Sequence, residues 1–288
     1  MSGPSVLWHP FCAFCGIGGC CWLQSLRSAF SRTATTPAAG NWGYVRIATP
    51  NSLLEHCEFW YGGVRGRNSS CTWLDPYMLW VYGADTDVDV RNCRFERAFD
   101  VGLYYQGGTT QLAPDISGNT FSACPRGILL TGQQLGAVVS NNTITNCTIG
   151  IDVQDCATTA QIEFNTIQAT SFAFNQNSST PIYSGNALQG STPNVISVGG
   201  TLPRSATWLN VPGLPYLVTS DVVIPSGLSL TIISRTTVKF QFQSSTSSKR
   251  RITANGQLLA TGTSVIHPKR NSRPGCGVRL MAVDPSSM

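Results

Sequence analysis

Between Thr86 and Phe174 apolar and polar residues alternate in short spans, as in Ile128/Leu130 and Ile151/Val153, and Gly, Asn, Ser and Thr separate one span from the next. A period of two punctuated by turn residues predicts short β-strands. The spans also recur. VDVRNCRFERAFDVGLYYQGG, PDISGNTFSACPRGILLTGQQ, AVVSNNTITNCTIGIDVQDCA and AQIEFNTIQATSFAFNQNS align on Cys93, Asn119, Asn142 and Asn165, spaced 26, 23 and 23 residues apart. Three positions before these anchors stand Val90, Ile116, Val139 and Ile162, and two positions after them Phe95, Phe121, Ile144 and Ile167. Farther on comes a small residue followed by an apolar one: Gly102-Leu103, Gly127-Ile128, Gly150-Ile151 and Ala173-Phe174.

The register extends to Asn186, with Tyr183 and Leu188 in the matching places, and back to Cys57, with Leu54 and Phe59. Cys57 precedes Cys93 by 36 residues, so an inserted loop is expected within Arg65–Tyr82. A fixed period of this size is the mark of a solenoid, in which each repeat buries its face only against its neighbours. No repeat holds a helical window long enough for a paired-helix unit. Coils of ~21–26 residues with three short strands predict an all-β chain wound as a single-stranded right-handed parallel β-helix, successive coils lying ~4.8 Å apart. Asn at the anchor suits a bend between strands, where its side chain bonds neighbouring backbone groups and stacks from rung to rung.

NNTITNCTIGIDV resembles the repeat of right-handed parallel β-helix proteins of the pectin-lyase-like fold, and the resemblance covers roughly residues 40–199. AAGNWGYVRIATPNSLLEHCEFWYGG is similar to the coil that opens a run of rungs in bacterial surface β-helices, with Trp42, Val45 and Ile47 facing the core. After Asn194 the register breaks. The stretch from Gly199 to Thr263 resembles the start of a second β-helix module, assigned to 200–265, with strands at Tyr216–Thr219, Val222–Ile224, Leu228–Ile233, Val238–Phe242 and Gln257–Ala260. It departs from that pattern at Ser234-Arg235, where such modules carry Pro-Gly. Residues 1–39 read as an atypical leader outside the solenoid, and 266–288 as a basic, disordered tail.

Charge adds little to this picture. The net charge of +5 comes largely from Lys249-Arg250-Arg251 and from Lys269, Arg270, Arg273 and Arg279, and the coils are near neutral. Without a basic stripe interleaved with aromatics, nucleic acid is not an expected partner. HPFCAFCGIGGCCWL is too short to span a membrane. Ile17-Gly18-Gly19-Cys20 resembles a lipoprotein cleavage box with Cys20 as the acylated residue, in keeping with an extracellular or cell-surface location. Cys12-x-x-Cys15 and Cys20-Cys21 invite a zinc reading, but the second pair is adjacent and no His follows nearby, so a closed tetrahedral site is not expected. Cys124 and Cys147, each five past its anchor, stack as a pair that is either disulfide-bonded or two small buried thiols.

Two groups of residues carry candidate chemistry. Asp87 and Asp89 alternate with inward Val88 and Val90 and so point outward; Asp115 lies four before Asn119 as Asp89 lies four before Cys93, which stacks the two carboxylates on adjacent rungs. Such a pair suits a shared calcium ion or acid–base work on a glycosidic bond, with Arg91 as a partner. Within this fold pectate lyases combine calcium-binding acids with a basic residue that abstracts a proton, but Val138 ends the acidic column here and the lyase motifs are not matched. The inserted loop carries Trp73, Tyr77, Trp80 and Tyr82, residues suited either to stacking on sugar faces or to covering the flank of the solenoid. His9, His56 and His267 complete no nucleophilic arrangement. The sequence therefore predicts a non-catalytic extracellular β-helix segment of a larger surface protein, structural, adhesive or polysaccharide-contacting and continuous with further modules. The alternative is a polysaccharide lyase or glycoside hydrolase using the surface carboxylates.

Overall fold

The structure, a computed structural model, describes residues 28–31, 35–64, 66–67, 73–74, 76–83, 86–108, 110–190, 194–242 and 249–262. The expectations placed on 1–27 and on the tail after Gly262, including Cys12–Cys15, Cys20 and the disordered stretch 266–288, lie outside the described residues.

The chain winds into a parallel β-solenoid with three strand faces per coil. Face A stacks Ser52–Glu55, Val88–Arg91, Asp115–Ser117, Val138–Ser140, Gln161–Glu163 and Ile182–Ser184 in parallel register. Face B follows each anchor: Cys57–Trp60, Arg94–Glu96, Thr120–Ser122, the first parts of Thr143–Gln154 and Thr166–Asn177, and Ala187–Leu188. Face C stacks Val45–Ile47, Tyr77–Tyr82, Val101–Gln106, Arg126–Thr131, the second parts of the two long strands, and Ile196–Thr201. Among the described residues there is no helix.

The interior is a set of columns, one residue per rung. Val90, Ile116, Val139 and Ile162 on face A are fully buried. On face B, Phe30, Phe59, Phe95 and Phe121 stack with ring centroids 4.7, 4.8 and 4.7 Å apart and planes within 9° of parallel, and Ile144 and Ile167 continue the column. Each buried Phe or Ile contributes about 1.5–3 kcal/mol by leaving water. The small-residue signature has a steric cause. A Cβ at Gly127 would lie 2.7 Å from the carbonyl oxygen of Gly150, and one at Gly150 would lie 2.6 Å from that of Ala173.

The corners are set by backbone sign. One residue before each anchor, His56, Asn92, Gly118, Asn141, Phe164 and Gly185 all have φ between 53° and 67°. A second such column at the turn into face C holds Tyr61, Arg97, Ala123 and Asn146. Gly and Asn adopt this left-handed conformation readily, whereas Phe164 or Ala123 costs about 1–2 kcal/mol, offset by the packing of the coil it turns.

Three expectations are corrected. Ser28–Phe30, inside the stretch assigned to a leader, pairs in parallel with Cys57–Trp60, because Phe30 completes the phenylalanine stack. The insertion ends before Tyr77. Tyr77–Tyr82 is a face C strand in register with Val101–Gln106, and the inserted residues before it carry a short antiparallel pair, Gly66–Arg67 with Trp73–Leu74. The break after Asn194 is confined to faces A and B. Ile196–Thr201 pairs on one side with Thr166–Asn177 and on the other with Tyr216–Ile224, which in turn carries Val238–Phe240 and Ile252–Ala254. Ala206–Trp208, Ser229–Ile232 and Gln257–Ala260 form a separate three-stranded sheet. The Ser234-Arg235 departure keeps its tight turn, with Arg235 at φ 66° and Thr236 N–H donating to Ile233 O at 3.3 Å.

Candidate functional site

The anchors decide what the rungs offer to solvent, because they consume their own polar groups. Asn119 Nδ2 donates to Val90 O (2.7 Å) and Asn142 Oδ1 (3.0 Å), and Asn142 Nδ2 donates to Ile116 O (2.8 Å) and Asn165 Oδ1 (2.9 Å). Asn165 Nδ2 repeats the pattern with Val139 O (2.9 Å) and Asn186 Oδ1 (3.0 Å). Each Oδ1 also accepts the backbone N–H of the preceding anchor, from Cys93 to Asn165. Where the slot holds Cys93, its Sγ donates to Leu54 O at 3.6 Å, the counterpart of Val90 O one rung earlier. The ladder is structural.

On face A the predicted carboxylates meet. Asp115 N–H donates to Asp89 Oδ1 at 2.8 Å, and Arg91 lies between the two side chains, with Nη2 2.6 Å from Asp89 Oδ2 and Nε 2.8 Å from Asp115 Oδ2. All three side chains are about one-third exposed. Asp87 stands apart at the exposed edge, its carboxyl raised above the ordinary range by partial burial and by the nearby Asp89 charge. Calcium takes six to eight oxygens. Here the guanidinium holds the Oδ2 of both carboxylates, and among the described residues no group of three or more His, Cys, Asp or Glu side chains is placed to hold a metal ion. The donor set does not fit calcium.

Face C gathers the aromatic residues. Trp80 is bracketed on neighbouring rungs by Arg46 and Tyr104, in the register Arg46↔Trp80↔Tyr104. The Arg46 guanidinium sits 4.8 Å from the Trp80 ring centroid and 4.6 Å from that of Tyr82. Tyr77, Trp80 and Tyr104 pack together, with centroids 4.4 Å apart for Tyr77–Tyr104 and 6.2 Å for Trp80–Tyr104, and Tyr44 closes the edge at 5.7 Å from Trp80. Tyr82 is 38% exposed. Trp80 Nε1 is buried without a hydrogen-bond partner. Trp73 lies on its two-residue strand, and its side chain is outside those described.

The same face continues into polar residues that the sequence pattern did not single out. Gln106, Thr131, Gln154 and Asn177 form a column in register with Tyr82, and Tyr104 Oη lies 3.1 Å from Thr131 Oγ1. Beside them Arg126 is paired with Asp100, Nη2 to Oδ2 at 2.8 Å, and approaches Asp152 at 3.6 Å. Asp152 points outward from the sheet yet is only 1% exposed. Burial raises its carboxyl above the ordinary range, opposed by hydrogen bonds from Asn175 Nδ2 (2.7 Å) and Gln154 Nε2 (2.8 Å). Alternation places Asp152 on an outer face, but its burial depends on neighbouring rungs. A carboxylate held by that many donors is a fixed acceptor rather than a base open to substrate.

At the bend between faces A and B a third feature opens, a shallow groove lined by His56, Glu58, Asn92, Cys93, Arg94 and Thr120. The five described cysteines, Cys57, Cys93, Cys124, Cys147 and Cys156, are free thiols. Cys124 and Cys147 are buried, and their Sγ atoms lie 3.5 Å from Ser122 O and Thr145 O.

Residues 61–201 match the family described as right handed beta helix region. No curated protein and no solved structure matches the chain.

Proposed function

This chain is a right-handed parallel β-helix repeat protein, and from that architecture we propose that it is a non-catalytic, extracellular β-helix segment that holds a polysaccharide along face C. The carrying observation is the outward aromatic strip of Tyr44, Tyr77, Trp80, Tyr82 and Tyr104 running into a column of amides and hydroxyls at rung spacing. Aromatic side chains offer broad apolar surface with a polar tip, the combination that a sugar ring with its own apolar face and hydroxyl edge requires. Gln106, Thr131, Gln154 and Asn177 then repeat one donor–acceptor position every ~4.8 Å along the axis. A polymer of repeating units meets equivalent groups as it lies along them.

The lyase or hydrolase alternative draws on Asp87, Asp89 and Asp115. Against it stands Arg91, whose guanidinium bonds the Oδ2 of both Asp89 and Asp115. The discriminating experiment measures retention of the wild type, Tyr82→Ala and Trp80→Ala by affinity electrophoresis in polygalacturonate, alginate and a neutral glucan. Removing one aromatic contact of about 0.5–1.5 kcal/mol weakens binding roughly two- to twelvefold. Retention unchanged in both variants overturns the reading. Turnover of either acidic polymer that disappears in Asp89→Asn replaces it with the enzyme.

A further inference from the structure

We propose that Cys57 and Cys93 form a reversible, rung-to-rung disulfide site open to small oxidants, distinct from the sealed thiol pair Cys124–Cys147. The two residues fill the same anchor slot on adjacent coils, since Glu58 and Arg94, which follow them, are direct partners. Stacked rungs place backbones about 4.8 Å apart, inside the 4.4–6.8 Å range over which Cα atoms of a disulfide lie. The two thiols lie near enough that each shifts the titration of the other.

Access separates this pair from the other. Cys57 is half-buried, and Cys93, though buried itself, lines the groove with His56, Glu58, Asn92, Arg94 and Thr120. Cys124 and Cys147 stack in the same way but are both buried, 1% and 0% exposed. Exposure assigns the roles. Cys57 is the half-buried thiol, held below its ordinary range beside Cys93, whereas Cys93 is buried, its Sγ turned to Leu54 O (3.6 Å) and Arg91 O (3.2 Å), and pushed up. Cys57 is therefore the attacking sulfur, because the thiolate is the nucleophile.

With a low-molecular-weight disulfide such as glutathione disulfide as oxidant, the Cys57 thiolate attacks one of its sulfurs and releases one glutathione thiolate. Cys93, giving up its proton to solvent, then attacks Cys57 Sγ and expels the second glutathione. Two protein thiols are oxidised to one disulfide and one glutathione disulfide is reduced to two thiols. The Cys57–Cys93 bond ties together the two coils on either side of the insertion that follows Trp60.

The full-length chain is treated with glutathione disulfide, quenched with an alkylating agent, and mapped by peptide mass spectrometry. The expected product is a Cys57–Cys93 crosslink, lost on treatment with dithiothreitol, while Cys124 and Cys147 are alkylated only after denaturation. In Cys93→Ser the Cys57–glutathione adduct accumulates instead. The proposal is overturned if Cys124–Cys147 forms as fast as Cys57–Cys93. It is also overturned if Cys57 stops at the glutathione adduct in the wild type, or if no adduct forms in Cys93→Ser.

Discussion

Asn142 is the position at which the anchor ladder is best tested. Its side chain is 1% exposed and takes part in four hydrogen bonds: it donates to Ile116 O and Asn165 Oδ1, and accepts from the backbone N–H and the Nδ2 of Asn119. Asn142→Ala leaves Asn119 N–H facing a void and withdraws the donor from Ile116 O. Each buried group so stranded costs about 1–3 kcal/mol, and the small cavity adds to that, so the expected loss is about 3–5 kcal/mol. Asn142→Cys is the informative partner. Cys93 shows that a thiol in this slot still reaches the carbonyl of the preceding rung, so the cysteine variant keeps the bond to Ile116 O while losing the donation to Asn165 Oδ1 and the acceptor side. It should cost roughly half as much as the alanine variant. Urea unfolding followed by far-UV circular dichroism reads both, and a loss of about 4 kcal/mol appears on heating as a fall in Tm of roughly 8–16 °C. An alanine variant within about 1 kcal/mol of wild type, or a cysteine variant no better than alanine, refutes the ladder as a source of stability.

Two further outcomes follow from the same structure. Gly150→Ala places a methyl 2.6 Å from Ala173 O and 2.8 Å from Ile167 Cγ2 and should destabilise by about 2 kcal/mol or more, whereas Gly43→Ala, with nothing within 4 Å of its added carbon, should be nearly silent in the same unfolding assay. Arg91→Ala removes a bridge between carboxylates about one-third exposed, so the stability lost is about 1 kcal/mol or less. Calorimetric titration should show no calcium binding to the wild type or to Arg91→Ala, because two carboxylates fall short of the six to eight oxygens the ion takes; binding to either contradicts the reading that the donor set does not fit calcium.

Much of the fold is legible because a solenoid repeats its physics. Val90, Ile116, Val139 and Ile162 announce a buried column by register alone, and the Asn anchors announce a bend. The misplacement of Tyr77–Tyr82 has a local cause. Leu79 pairs with Leu103, which puts Met78 in the slot held by Gly102 and Gly127 on later rungs. Met78 fills space that a glycine elsewhere leaves, so the small-then-apolar signature is missing on that one coil and the strand reads as loop. Phe30 is missed because the residues around it follow no repeat, although its ring stacks on Phe59. The face C strip is harder still to read. Trp80, Tyr104 and Leu129 point outward between inward apolar neighbours, so alternation fails there, and the pairing of Arg126 with Asp100 joins residues 26 positions apart.

The junction at Ile196–Thr201 bears on how the molecule responds to load. Hydrogen bonds between rungs run along the solenoid axis, so tension along that axis passes through the rungs in series and the least-bonded level yields first. Faces A and B end at Ile182–Ser184 and Ala187–Leu188, and the sheet that begins at Ala206–Trp208 does not pair with either. Across that level, among the described strands, one strand of face C alone carries the pairing onward. A rod held by one wall of three bends most easily there and hinges about the continuous wall. The strip from Arg46 to Asn177 lies wholly on one side of that hinge and keeps its spacing while the rod flexes.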